Sequence, residues 1–260
     1  MKGDRRMKSI YLTIIFIFVA LGIHAQGASP EAIKAYQAKK YEQAAQLFQK
    51  EVDSHKKQGE ESAALYYNLG NAYFRANELA KAILNYERAL LLDPGNEDIR
   101  HNIAFANTKV EDGDKIAKTE KILLQNWFES LENICTSNTW AVLAIVFFLL
   151  TIISCFFFLF GSKLWVKKTA FYSGILGVVL VILFNLFAYF QKQDVIRKNT
   201  AIVMTPTAQM MSSPEDKGKI LMNIHAGLKV RISKTDGEWY EIELDNGNVG
   251  WVQSEKLEII

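Results

Sequence analysis

Between Asn133 and Ser162 no residue carries a charge, and none does between Thr169 and Gln191. Each run holds about 20 strongly apolar residues, which at about 1.5 Å rise per residue matches a hydrocarbon core of about 30 Å. The two runs therefore predict membrane-spanning helices over 140–160 and 171–190, joined by a Lys-bearing loop at 161–170 into a two-helix transmembrane hairpin. A hairpin returns the chain to its starting side, so the polar segments before and after it share one face of the membrane, and the function lies in those flanks. Within the second span Gly174 and Gly177 suit close helix packing, and Asn185 suits a hydrogen bond to the neighbouring helix. With no intramembrane charge, no ion or proton pathway is expected.

The N-terminus reads as a targeting signal. Lys2, Arg5, Arg6 and Lys8 precede an apolar run from Ile10 to Ile23, followed by His24-Ala25-Gln26-Gly27. That order is a basic region, an apolar stretch short for a span, and a small residue at a cleavage site, so residues 1–25 are expected to be a signal peptide cut after Ala25. Ile23 leaves an uncleaved anchor as the alternative. Either outcome delivers the polar segment beyond residue 25 to the trans side, the periplasmic face of a bacterial inner membrane. Lys163, Lys167 and Lys168 in the hairpin loop agree with a cytoplasmic turn, whereas Lys192, Arg197 and Lys198 weaken the asymmetry, so the signal decides the orientation.

Half the residues are hydrophobic, which the hairpin and the N-terminal run explain. A net charge of +2, without a dense basic patch interleaved with aromatics, argues against a nucleic-acid partner. Cys135 and Cys155 would stand about 30 Å apart on one helix, too far to bridge. His24, His55, His101 and His225 are isolated, no phosphate-binding loop or nucleophile elbow is present, and the carboxylates fall on solvated helix faces. No enzyme activity, cofactor or metal is expected.

Over residues 30–112 the apolar spacing is helical. Tyr66, Leu69, Gly70, Tyr73, Ala82, Tyr86, Ala89 and Pro94 stand at the eight positions of a 34-residue helix-turn-helix, and the stretch from Ala63 to Asn96 resembles the tetratricopeptide (TPR) repeat. The small residues let two antiparallel helices approach, the tyrosines fill the space between them, and the proline ends the second helix. A degenerate copy runs from about Glu31 to Val52, and Asn96–Thr108 restarts the pattern as a capping helix. The resemblance implies a protein-binding concave face lined by Tyr67, Asn71, Phe74 and Arg75, with His101 on the next helix. An Asn-Arg pair there suits a peptide carboxylate or backbone, and ordinary packing is the competing role.

Residues 113–139 predict an amphipathic juxtamembrane helix. Ile116, Leu123, Leu124, Trp127, Phe128, Leu131 and Ile134 recur at helical spacing against charged residues. The helix either lies at the membrane interface with Trp127 as anchor or caps the repeat stack.

Residues 199–260 alternate apolar and polar positions around Asp236-Gly237 and Asn246-Gly247, the signature of a β-meander. With Ala226-Gly227, Trp239-Tyr240 and Gly250-Trp251-Val252 the segment resembles a bacterial SH3 domain, a small all-β barrel, and Thr205–Gly218 corresponds to the long first loop of that family. The resemblance implies binding, with Trp239, Tyr240 and Trp251 as the candidate residues. Trp239 and Trp251 serve either as a shelf for peptide or glycan or as core in so small a domain.

The fold class expected is thus a multi-domain membrane protein: an all-α repeat, a transmembrane hairpin and an SH3-like barrel. That order, with Asp93-Pro94-Gly95-Asn96-Glu97-Asp98, His101-Asn102-Ile103, Ala106-Asn107 and Trp140-Ala141, resembles the BatE-type proteins of the bacterial Bat aerotolerance operons. The resemblance implies an inner-membrane component beside von Willebrand-type membrane proteins and a MoxR-type ATPase in envelope or oxidative-stress tolerance, and the function expected is a non-enzymatic scaffold whose periplasmic TPR groove binds partner proteins, other Bat-type membrane proteins first among them. The alternative is a peptidoglycan receptor working through the SH3-like domain.

Overall fold

The computed structural model describes residues 29–112, 123–197, 199–215 and 217–260. The expected signal peptide and the first part of the juxtamembrane helix, including Ile116, lie outside them.

Five helices form the repeat: α1 (Pro30–Gln37), α2 (Tyr41–Lys57), α3 (Ala63–Arg75), α4 (Leu79–Leu92) and α5 (Glu97–Asn107). Three begin at side-chain caps. Ser29 Oγ accepts from the Ala32 amide, Ser62 Oγ from Leu65, and Asn96 Oδ1 from Asp98 and Ile99, each satisfying an amide the helix cannot. The α1–α2 and α3–α4 turns are the same device. Lys39 and Asn77 take left-handed φ angles of 61° and 65°, and the next amides, Lys40 and Glu78, donate back to the Ala35 and Tyr73 carbonyls. Both first helices thus stop with one capping geometry, so the degenerate copy keeps the repeat turn despite losing its Leu-Gly pair. Leu65, Leu69, Ala82, Tyr86 and Ile99 fill the shared core. Gly70 sets the α3–α4 distance: a Cβ there would lie 2.6 Å from Tyr86 Cδ1.

Helix α6 (Leu123–Glu132) leads into α7 (Ser137–Phe160) and α8 (Leu164–Arg197). Helices α7 and α8, of 24 and 34 residues, are long and apolar enough to cross a membrane. They pack antiparallel around a turn at 161–163, and Leu164–Ala170, expected within the loop, are helical. Trp140 stacks on Phe184 and meets Phe187 at a tilt, with centroids 5.2 and 4.9 Å away, and the Ser154 and Ser173 hydroxyls meet at 3.0 Å. Only Trp140 and Ala144 of α7 are buried, and the outer surface of the pair is apolar and exposed. Asn185 does not reach across: its Nδ2 donates to the Val181 carbonyl one turn back, a route open to any helical Asn whose partner helix offers no acceptor. On α6, Phe128 packs on Phe187 and Phe190 while Trp127 faces outward.

The C-terminal segment forms seven strands: β1 (Thr200–Val203), β2 (Thr207–Met211), β3 (Ile220–His225), β4 (Lys229–Asp236), β5 (Trp239–Glu243), β6 (Val249–Gln253) and β7 (Leu257–Ile259). They make one antiparallel sheet in the order β3-β2-β6-β5-β4-β1-β7. This corrects the expected barrel: β3 and β7 end the sheet without pairing to each other. The reason is in the stretch expected to be a loop. Strand β2 forms there as a hairpin with β3, and it joins the meander only through Met211 opposite Trp251, beside a register shift between Met210 and Met211. One shared pair cannot carry the ladder round to closure. All seven strands still contribute to a single core, among them Val203, Met210, Ile224, Val230, Ile242 and Leu257.

Replacing Gly70 by Ala is expected to lower stability by about 1–3 kcal/mol, since the added methyl overlaps the Tyr86 ring. Thermal unfolding of the full chain in detergent, followed by circular dichroism, measures the shift.

Candidate functional site

The face of the repeat left for binding is decided by what the β-domain covers. Ile202 and Ile260 of the β-domain enter the core of the repeat rather than that of the sheet. Gly227, at φ +90°, brings its backbone against α4 and the end of the repeat, where a Cβ would sit 3.1 Å from both Ile83 Cδ1 and Val110 Cγ2. Polar links surround this contact. Arg88 donates to Glu258 Oε1 and to the Ile259 carbonyl, both at 2.9 Å, and Lys229 Nζ lies 2.6 Å from Glu87 Oε2. Asp112, 3% exposed, accepts the His225 amide at 2.6 Å and faces His225 Nδ1 at 2.9 Å. A carboxylate only accepts, so the hydrogen sits on Nδ1. The β-domain therefore closes the α4 side, and among the described residues nothing covers the α3 and α5 side.

On that open side α3 presents Tyr67, Asn71 and Phe74 at helical spacing. Asn71 is engaged internally: its Oδ1 accepts from Tyr86 Oη at 2.8 Å and from Asn102 Nδ2 at 3.0 Å. Asn102 also donates to Tyr67 Oη at 3.0 Å. Burial, and after it the neighbouring Tyr67 and Tyr36, push the Tyr86 phenol well above its usual range, which keeps it a donor to Asn71. Farther along, Phe74 meets Phe105 of α5 with centroids 5.7 Å apart, and Phe105 is 49% exposed. Arg75 donates to Tyr41 Oη at 3.0 Å and lies 5.1 Å from that ring. The result is an aromatic floor with a fixed guanidinium at one edge, suited to an apolar segment carrying a carboxylate.

The structure thus brings Tyr67, Asn71, Phe74 and Arg75 to one face, and leaves His101 exposed with no hydrogen bond among the described residues. The α5 residues that face α3 are Asn102 and Phe105. Sequence reasoning missed both, although their i, i+3 spacing and matching chemistry to Asn71 and Phe74 were the available signal.

On the sheet, register separates the three aromatic candidates. Trp251 stands opposite Glu241 and Trp239 opposite Gln253, so both tryptophans share one face as diagonal neighbours, half-buried. Tyr240, opposite Val252, points to the other face and packs against the sheet core. Between the tryptophans, Glu241 accepts from Lys234 Nζ at 3.0 Å and from Ser233 Oγ at 2.8 Å, and these bonds lower its carboxyl below the ordinary range. Among the described residues no cluster of His, Cys, Asp or Glu fits a metal ion.

Asp112→Ala is expected to cost about 1–3 kcal/mol by stranding the His225 amide, and hydrogen exchange at that amide should accelerate accordingly. For Glu241 the sign follows from its lowered value: the Lys234 and Ser233 bonds act fully above the ordinary carboxylate pKa and are lost as pH falls through the folded one. A carbon-13 titration of the Glu241 side chain should move toward the ordinary value of about 4.3 in Lys234→Met.

Comparison with known families gives two matches. The tetratricopeptide repeat family matches residues 63–96, and the bacterial SH3 domain family matches residues 205–258. No curated protein matches the chain. The repeat and the β-domain are thus each similar to a family of non-catalytic modules, the first suited to protein partners and the second to the cell envelope.

Proposed function

We propose that this chain is a non-enzymatic scaffold, anchored in the bacterial inner membrane by the α7–α8 hairpin, which holds a partner protein in the α3–α5 groove on the periplasmic side. The observation that carries this reading is the division of faces. The β-domain occupies the α4 side of the repeat, while Phe74, Phe105 and Arg75 remain open on the other. Exposed aromatic area beside a fixed Arg is the composition of a protein-binding hot spot. The similarity to the tetratricopeptide repeat supports protein as the ligand, and the resemblance to BatE-type proteins makes other Bat-type membrane proteins the partners to seek. The membrane anchor rests on two apolar helices whose outer surface would be costly to leave in water.

A second reading is favoured by a separate observation. Trp239 and Trp251 share one outer face of a sheet similar to the bacterial SH3 domain, a surface able to stack on a peptidoglycan strand. The two readings separate in intact cells by photocrosslinking from residues 74 and 105, with residue 239 as control. A discrete protein adduct at 74 and 105, absent at 239 and reduced about tenfold by Arg75→Glu, is the expected result. Adducts at 239 alone, carrying cell-wall fragments, would overturn the scaffold reading and make the sheet the working surface.

A further inference from the structure

Helix α6 has three sides with different surroundings. Phe128 turns to the hairpin, its ring 5.1 and 5.9 Å from those of Phe187 and Phe190. Glu129 and Asn133 turn to the repeat, where they line a cavity with Leu91 and Arg100, and the Asn133 carbonyl accepts from Arg100 Nη2 at 3.0 Å. The third side carries Trp127, Leu131 and Ile134, which their i, i+4, i+7 spacing sets in one stripe along α6 and the turn that continues it. Trp127 is 64% exposed and Ile134 58%. Large apolar side chains in a row are costly to leave in water, so the stripe calls for a cover.

The level at which the hairpin holds α6 identifies that cover. Phe187 and Phe190 occupy the last turn of the second uncharged run, directly before Gln191 and Lys192. On the membrane reading of α7 and α8, on which this inference rests, that turn marks the boundary between acyl chains and headgroups. Both ends of the stripe are tied to it. Trp127 is the neighbour of Phe128, one rise of about 1.5 Å along the helix. Ile134 is the neighbour of Cys135, whose carbonyl accepts Gln191 Nε2 at 2.8 Å. Helix α6 therefore runs along the boundary instead of rising from it into water. At the same level Tyr189 is exposed, and Lys192 is exposed just beyond. An exposed Trp and Tyr at one depth, with a Lys on the polar side, is the composition of a membrane interface, where the rings sit among headgroups and the ammonium reaches out to phosphate.

We infer that the stripe of Trp127, Leu131 and Ile134 is a lipid-docking surface, seated in the bilayer where headgroups meet acyl chains, so that α6 is held by the hairpin, the repeat and lipid on its three sides. The sequence leaves α6 either at the interface or capping the repeat, and the three-sided arrangement gives it both contacts at once. The bond from Arg100 to Asn133 then seats that end of the repeat on the membrane surface.

The full chain is reconstituted in nanodiscs of phosphatidylcholine brominated either near the carboxyl end or near the methyl end of its acyl chains. The emission of Trp127 is the difference between the unaltered chain and Trp127→Phe. Bromine near the carboxyl end should quench that emission by about half, as expected of an indole held about 5–10 Å into the boundary. Bromine near the methyl end should quench it less, and aqueous iodide should leave it unchanged. Ile134→Trp, made on Trp127→Phe, should give the same pattern, which tests the stripe and not one ring alone. Quenching by iodide alone puts α6 in water, and resistance to all three quenchers puts the stripe against protein, a second copy or a partner; either result overturns the inference. Leu149→Trp, in the middle of α7 on the same background, keeps the membrane reading separate. If bromine near the methyl end quenches that indole, failure at Trp127 refutes the lipid surface alone, whereas quenching of it by iodide refutes the membrane reading as well.

Discussion

Helix α4 is buried on two adjoining faces, and most of the architecture depends on that. Tyr86 and Ala82 face α3, where Gly70 admits them, while Ile83 and Glu87 face the β-domain. A Glu that is 7% exposed is tolerable only because Lys229 stands 2.6 Å away, since an unpaired carboxylate there would carry a heavy desolvation cost. The repeat and the sheet are therefore one folding unit, although each resembles a module that elsewhere stands alone. The same burial fixes which surface is left to bind, because the groove on α3 and α5 lies away from the face the sheet occupies.

Much of this is legible in local pattern. The repeat spacing from Tyr66 to Pro94 places α3 and α4, the two uncharged runs place α7 and α8, and the DG and NG turns place β4 to β6. Periodicity reads what a segment does with its own neighbours, and the failures are where distant partners decide. Glu87 looks like a solvated helix residue until Lys229 is brought beside it. Ala226-Gly227 reads in the sequence as a family feature, but its physical reason is the approach to Ile83 and Val110. Strand β2 lies between Pro206 and Pro214 with few β-branched residues, so nothing local marks it, and without it the sheet looks closed. In the groove, four of five expected residues share a face, yet the internal engagement of Asn71 by Tyr86 and Asn102 depends on the rotation of α5.

The polar end of the hairpin shows how the same physics joins dissimilar parts. The Glu132 carbonyl receives both Trp140 Nε1, at 2.8 Å, and Gln191 Nε2, so the entry to α7 and the exit from the apolar part of α8 are tied to one backbone atom. Arg100 ties the last helix of the repeat to the same corner through Asn133. The helical hairpin is thus held to the polar domains by hydrogen bonds to backbone carbonyls, which fix position without demanding a particular apolar surface.

The position of the hairpin in the chain has a consequence for assembly. Residues 29–112 leave the ribosome before any of β1–β7 has been made, yet the core of the repeat is completed by Ile202 and Ile260. During that interval α4 carries an uncovered apolar stripe, Glu87 lacks its lysine, and Asp112 lacks His225. The chain must travel out along α7 and back along α8 before the last strands can settle on a surface that has been waiting for them. Synthesis order thus makes the helical repeat a late-closing structure, exposed to other partners, chaperones among them, for as long as the hairpin takes to turn.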